Sequence, residues 1–371
     1  MKIKIGVIFG GRSGEHEVSV RSAKTVIEQI DKEKYEVFPM AITKEGNWLN
    51  PAESLRLLPE TIREMFSGTN FPNTEIALLG DTKYKGLTSI NSSEKFPPLD
   101  VVFPVLHGTY GEDGTIQGLF EMAGIPYVGC DVLASSCGMD KVVMKTLFRD
   151  AELPLCRYVW FLRSEWENAQ AATIKLVEAK LGYPCFVKPA NLGSSVGVSK
   201  ATDAESLREA IKVAAEYDRK IIVEEALEMR EIECAVLGND TPEASLPGEY
   251  VIHDDSKKFL DYTEKYTGTG NNDFVVPALI SQELSQKIQQ MAVTAFKAVS
   301  GSGLARVDFF LRTDNGALLV NEINTLPGLT DASGYPKMWA GTGKDFPQVI
   351  DRLVELALER HADKMRNKTS F

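Results

Sequence analysis

The segment ARVDFFLRTDNGALLVNEINTLPG (305–328) decides how this chain is read. Two apolar runs, 304–311 and 317–324, flank TDNG (313–316), a sequence suited to a hairpin turn. A three-residue loop of Asp314, Asn315 and Gly316, with Gly316 left-handed, places Asp308 opposite Glu322 and Arg306 opposite Asn324. Side chains two apart on a strand share a face, so Glu322 and Asn324 point together. Two carboxylates and one amide oxygen then converge. Hard oxygen donors of this kind suit magnesium, which takes one or two carboxylates plus phosphate oxygens and water. The competing reading is a solvated polar face on an edge hairpin. Three oxygen donors within apolar strands, beside an arginine, favour a metal site.

Upstream, IKIGVIF (3–9) is a buried strand, followed by a turn at Gly10, Gly11 and Gly14. Val20, Ala23, Ile27 and Ile30 recur at helical spacing, and YEVFPMAIT (35–43) is a second strand. Strand, turn, helix and strand in that order predict a parallel α/β sheet. LDVVFPVLHG (99–108) and IPYVG (125–129) complete it, and the first domain spans 1–138. A helix over 139–153 opens a second domain, 139–228. That domain holds strands at 184–190, 196–201 and 221–227 and a helix opened by a Thr202/Glu205 capping box. The third domain, 229–371, has strands at 232–237, 249–253, 304–311 and 317–324 and a helix near 284–299. The polar stretch 254–277 reads as a loop long enough to be a lid. The fold class is α/β, with α+β character in the C-terminal part.

Three further features carry chemistry. KPANLGSSVGVSK (188–200) contains Gly193, Ser194, Ser195 and Gly197, a turn whose backbone N–H groups can cradle phosphate. It lacks the GK[ST] end of a Walker loop and joins strand to strand. Lys188, and Lys141 on the preceding helix, are candidate phosphate counter-charges. VEEALEMREIE (223–233) offers acceptors for adenine and ribose. GGRSGEHEVS (10–19) opens a helix but has GGxxG spacing, not the dinucleotide fingerprint. Glu15 in that turn attracts a cation. His107, in LHGTYGEDGT (106–115), lies after a buried strand, where α/β sheets bind ligands; an isolated histidine is more often structural.

Composition excludes several classes. The 371 residues carry a net charge of −11, which argues against general nucleic-acid or anionic-membrane binding. No apolar run reaches the roughly 20 residues of a membrane span. The N-terminus lacks a signal-peptide pattern, so a cytoplasmic location is expected. The five cysteines are scattered without a CxxC pair, against zinc ribbons and disulfide frameworks.

GGRSGEHEVS, LHGTYGEDGTIQG, IPYVGCDVLASSCGMDK, VKPANLGSSVGVSK, DYTEKY, RVDFF and NEINTLPGLTDASGYPKMW occur in this order, from Gly10 to about Trp339. Together they resemble the D-alanine–D-alanine ligases, a branch of the ATP-grasp superfamily. The resemblance implies three α/β domains with ATP between the second and third, and synthesis of a dipeptide for the cell wall from D-alanine and ATP. It implies that Lys141 and Lys188 contact ATP phosphates, with Ser195 in the flap beside them. Glu224, Leu227 and Glu231 would line the adenine and ribose pocket, with the backbone of Glu225 reading adenine. Asp308, Glu322 and Asn324 would hold two Mg2+ ions, with Mn2+ as a substitute. Glu15 would receive the ammonium of the first D-alanine, near His107. Ser194 and Tyr266 would join Glu15 in a chain that latches the lid. Arg306 and the backbone of Gly328 would stabilise the oxyanion, and Lys265 and Ser333 would take the carboxylate of the second D-alanine. A homodimer is also implied. Two positions depart from the family pattern: Glu225 replaces a frequent lysine, and Gly334 a larger residue. Tyr266 favours an amine over D-lactate as nucleophile. A D-lactate or D-serine ligase, and a non-catalytic nucleotide-binding protein on the same fold, remain alternatives; a dinucleotide oxidoreductase fits least.

Overall fold

Four apolar stretches of the first 106 residues assemble one sheet. The computed structural model describes residues 2–84, 87–90, 96–252 and 272–368. Its strands, in chain order, begin with β1 (Ile3–Gly10), β2 (Tyr35–Ile42), β3 (Trp48–Leu49), a small separate hairpin of β4 (Ile76–Leu78) and β5 (Leu87–Ser89), and β6 (Val101–Leu106). The first sheet runs β3-β2-β1-β6, with β1 parallel to both β2 and β6. That is the parallel arrangement expected from the sequence. The expected strand at 125–129 is reduced to one parallel bridge, Val102 to Tyr127.

The second sheet is antiparallel. It comprises β7 (Tyr158–Leu162), β8 (Cys185–Pro189), β9 (Ser199–Ala201) and β10 (Lys220–Glu225), in the order β7-β10-β8-β9. β9 starts at Ser199, later than expected from sequence, because Ser194, Ser195 and Gly197 all have positive φ and cannot continue a strand. The helix Ala204–Tyr217 is capped by Asp203, whose carboxylate accepts from the Ser206 amide. The capping box therefore sits one residue later than the Thr202/Glu205 pair expected.

The third sheet contains β11 (Met229–Gly238), β12 (Glu243–Ala244), β13 (Gly248–Ile252), β14 (Asn272–Val275), β15 (Gly303–Arg312) and β16 (Leu318–Asn324). β14 pairs antiparallel with β13, so residues 272–275 are strand, not part of the loop expected over 254–277. The rest of that loop lies mostly outside the described residues, as do Lys265 and Tyr266.

The β15–β16 hairpin reaches the expected register by another route. Arg312 pairs with Ala317 through a 2.9 Å bond, so four residues, 313–316, form the turn, with Gly316 at φ 71. One extra loop residue alone would set Asp308 opposite Asn321. Instead Phe309 pairs with Val320 and Asp308 with Glu322, leaving Asn321 as a β-bulge. The bulge restores Asp308 to Glu322 and Arg306 to Asn324.

The last helix, Phe346–Lys364, returns to the beginning of the chain. Val349, Ile350, Leu353, Val354 and Ala357 recur at helical spacing and share a core with Ile5, Val7 and Phe9 of β1. Arg360 on this helix donates to the Tyr127 carbonyl at 2.8 Å and Ser302 Oγ at 2.7 Å. Packing of this helix and β1 into one core joins the two ends of the described chain.

Candidate active site

Strands of the second and third sheets and the turns that follow β1 and β6 meet at a cleft of about 200 Å³. Glu15, His107, Lys141, Lys188, Ser194, Ser195, Glu224, Glu225, Leu227, Glu231, Arg306, Asp308, Glu322, Asn324 and Gly328 all line it. These come from seven separated stretches of sequence. Ser333 is not among the lining residues.

The hairpin supplies the oxygen set. Arg306 forms a bidentate pair with Asp308, Nε to Oδ1 at 2.7 Å and Nη2 to Oδ2 at 2.6 Å. Its Nε also lies 3.4 Å from Glu233 Oε2. Burial pushes the Asp308 carboxyl up to about 7; Glu233 and Glu322 add to this, and Arg306 opposes it. Asn324 Oδ1 accepts from the Leu326 amide at 2.9 Å, which fixes the amide oxygen and leaves it a second lone pair. Lys141 Nζ lies 3.7 Å from Glu322 Oε2. Two carboxylates and an amide oxygen, one carboxyl raised by burial and by two neighbouring carboxylates, fit a hard divalent cation.

The second sheet contributes a buried charge triad. Glu224 Oε2 accepts from Lys188 at 2.6 Å and Glu224 Oε1 pairs with Lys145 at 2.9 Å. Burial raises the Glu224 carboxyl, but the two lysines outweigh it and hold the group well below its ordinary range. Above it, Ser194 and Ser195 both sit at φ 55, a left-handed pair that turns successive amides toward one side. Glu225 points away: Arg157 engages its carboxylate through its amide, 2.7 Å, and its guanidinium, 2.8 Å. The carboxylate at this departure from the family pattern is thus occupied.

The first sheet supplies a third corner. Ser194 Oγ donates to Glu15 Oε1, bringing the flap onto the turn after β1. Burial and Glu112 raise the Glu15 carboxyl, opposed by His107, Ser194 and Arg306. His107 is buried, with Nδ1 3.2 Å from the Leu326 carbonyl and 3.6 Å from Glu112, and Nε2 3.0 Å from Ser22 Oγ. Burial alone would lower His107, yet Glu112 and Glu15 carry it above its ordinary value. The histidine therefore bridges the first sheet, the turn after β16 and the acidic corner.

Ser333 is buried. Its hydroxyl bonds Thr330 Oγ1 at 2.7 Å and accepts from the Thr330 amide at 3.1 Å. Gly334 has a local cause: a Cβ there would lie 2.6 Å from Glu233 Oε2 and 2.8 Å from Phe274 Cζ. Phe274 fills the space that a side chain at position 334 would take.

Sequence reasoning missed Lys145, Glu112 and Glu233. Lys145 stands one helical turn after Lys141, and that spacing was its one available signal. Glu112 lay within the quoted LHGTYGEDGT without distinction from its acidic neighbour Asp113. Glu233 alternates with Glu231 on β11, but its approach to Arg306 comes only from pairing of β11 with β15.

The family model described as D-ala D-ala ligase N-terminus matches residues 4–130, and that described as D-ala D-ala ligase C-terminus matches 147–355. A D-alanine–D-alanine ligase of Heliobacterium modesticaldum is 47% identical over 370 residues, covering 100% of this chain and 98% of the relative. One from Bacillus velezensis is 47% identical, covering 98% and 100%. The solved structure of the D-alanine–D-alanine ligase from Coxiella burnetii superposes with TM-score 0.82 at 35% identity, covering 98% and 96%. That of the VanG D-Ala:D-Ser ligase from Enterococcus faecalis gives 0.83 at 40%, covering 96% and 100%.

Proposed function

Because this chain belongs to the D-alanine–D-alanine ligase family, we propose that it joins two D-alanine molecules at the expense of ATP, giving D-alanyl-D-alanine, ADP and phosphate for peptidoglycan synthesis. The observation that carries this reading is the convergence of Asp308, Glu322 and Asn324 with Lys141, Lys188 and Glu15 on one cleft. A carboxylate is a poor electrophile, so the first D-alanine is activated as an acyl phosphate. That transfer needs positioning and charge neutralisation more than a protein nucleophile. Asp308, Glu322 and Asn324 would hold two Mg2+ ions, with Mn2+ able to substitute, and bound metal would neutralise phosphate charge.

The other roles belong to this chain's own groups. Lys141 and Lys188 face the phosphates, with Ser195 in the flap over them. Glu224, Leu227 and Glu231 line the base and ribose, and the backbone of Glu225 reads adenine. Glu15 receives the first substrate's ammonium beside His107, with Ser194 bonded to it. Arg306 and the Gly328 amide answer the oxyanion that forms when the second amine attacks. Lys265 and Ser333 take the second carboxylate; reaching it requires Ser333 to exchange its Thr330 bond. Tyr266, outside the described residues, would complete the Glu15–Ser194 chain and help keep the acyl phosphate from water. Segment 1–138 would hold the first amino acid, and 139–228 and 229–371 would clamp the nucleotide.

Among the described residues no helix is long and apolar enough to cross a membrane. We place the protein in the cytoplasm as a homodimer acting on small molecules, with no nucleic-acid partner. The test is ADP release with D-alanine against L-alanine. Release dependent on D-alanine supports the reading; ATP binding without such release favours a non-catalytic nucleotide-binding protein. The 40% identity to a D-Ala:D-Ser ligase structure makes D-serine, alongside D-lactate, the second substrate to compare. Faster turnover with either would reassign the specificity.

A further inference from the structure

Lys145 is a buried cation that the reaction above does not use. Its side chain is 1% exposed, on the helix Lys141–Asp150. An ammonium has three protons to place, and burying it is costly unless all are satisfied. Here it meets three acceptors: Glu224 Oε1 at 2.9 Å, the Asn321 carbonyl at 3.3 Å and Cys156 Sγ at 3.7 Å. The middle one matters most. Asn321 is the bulged residue that turns Glu322 onto the face of Asp308 and Asn324. β16 is the edge strand of its sheet and the bulge disrupts its ladder locally, so its buried outward-facing backbone groups need partners. The same helix provides them: Lys145 takes the Asn321 carbonyl, and Met144 Sδ accepts from the Ile323 amide at 3.4 Å.

We propose that Lys145 is a positioning residue for metal binding, holding the Asn321 bulge so that Glu322 stays beside Asp308 while its other contact keeps Glu224 against Lys188. The inference rests on the metal reading of the hairpin given above. Without the bulge the four-residue turn would pair Asp308 with Asn321, and Glu322 would face the opposite side of the sheet. A neutral side chain of similar length would fill the space and leave the bulge carbonyl without a donor.

The test is Mn2+ binding to the whole protein, measured by the loss of free-ion electron paramagnetic resonance signal without nucleotide. Lys145→Met is expected to weaken Mn2+ binding by about 10-fold or more, the scale of losing support behind a metal ligand, with the D-alanine KM within about twofold. A role in stability alone would lower the melting temperature and leave the Mn2+ dissociation constant unchanged, and that result overturns the proposal. Wild-type protein that binds no Mn2+ either alone or with ATP present overturns the metal reading and this inference with it; wild-type binding that Lys145→Met leaves intact overturns the inference alone. Should Lys145→Met fail to fold, Met144→Leu removes the acceptor of the Ile323 amide and keeps shape and charge. It is expected to weaken Mn2+ binding about threefold, and unchanged binding there counts against the proposal.

Discussion

Replacing Glu224 with glutamine isolates the energetics of the buried charge triad. In the wild-type protein one carboxylate, 4% exposed, answers two ammonium groups, Lys145 at 2.9 Å and Lys188 at 2.6 Å. Glu224→Gln keeps the volume and removes the carboxylate that both lysines contact directly. Breaking a buried pair by removing one partner costs about 3–5 kcal/mol. The glutamine oxygen still accepts one bond, so the loss is expected at the lower end, about 3 kcal/mol. At a urea dependence of about 1–3 kcal/mol/M, the midpoint falls by about 1–3 M. Urea unfolding followed by tryptophan emission reads this unit, since Trp166 is buried in its core. The pH dependence is a second check. The Glu224 carboxyl is depressed below its ordinary 4.5, so its stabilisation is complete above that value and is lost as pH falls toward the folded value. The gap between wild type and Glu224→Gln should narrow from neutral pH to about pH 3. Adding Lys145→Met removes the most buried ammonium and should recover about half of the loss. A Glu224→Gln variant within about 1 kcal/mol of wild type at neutral pH, or a double variant no more stable than it, refutes this account of the triad.

Asp308→Asn should lower D-alanine-dependent ADP release by more than about 100-fold, read in a coupled assay, because the charged metal ligand and the bidentate partner of Arg306 are both lost. Burial and the neighbouring Glu233 and Glu322 carry Asp308 up to about 7, so in metal-free buffer its ionisation costs stability as pH rises from 3.8 toward that value. Metal must displace the proton, and added Mg2+ should raise the melting temperature more at about pH 8 than at about pH 6; equal shifts would contradict it. Gly334→Ala should cost about 1–3 kcal/mol in thermal unfolding through its clash with Glu233 and Phe274, and Phe274→Leu should recover part of it; a neutral Gly334→Ala would show that Phe274 yields freely.

What the sequence determined by itself was local. Alternation along 304–311 and 317–324, with a left-handed glycine between them, sufficed to put Asp308, Glu322 and Asn324 on one face. Hairpin partners are near in sequence, and the strand period of two fixes which side chains share a side. Even there the turn was one residue longer than expected, and the Asn321 bulge compensated. The parallel sheet of residues 3–106 was legible for a similar reason, since apolar strands alternate with an amphipathic helix. Tertiary structure alone decided the rest. Lys145 reaches Glu224 and Asn321 across 79 and 176 residues, as the 224 and 321 positions show; His107 meets Leu326 across 219; and Gly334 is required by Phe274, which stands on β14. Such pairs arise where separately formed elements pack. Each window of sequence specifies which face an element buries, but not which distant face it buries against.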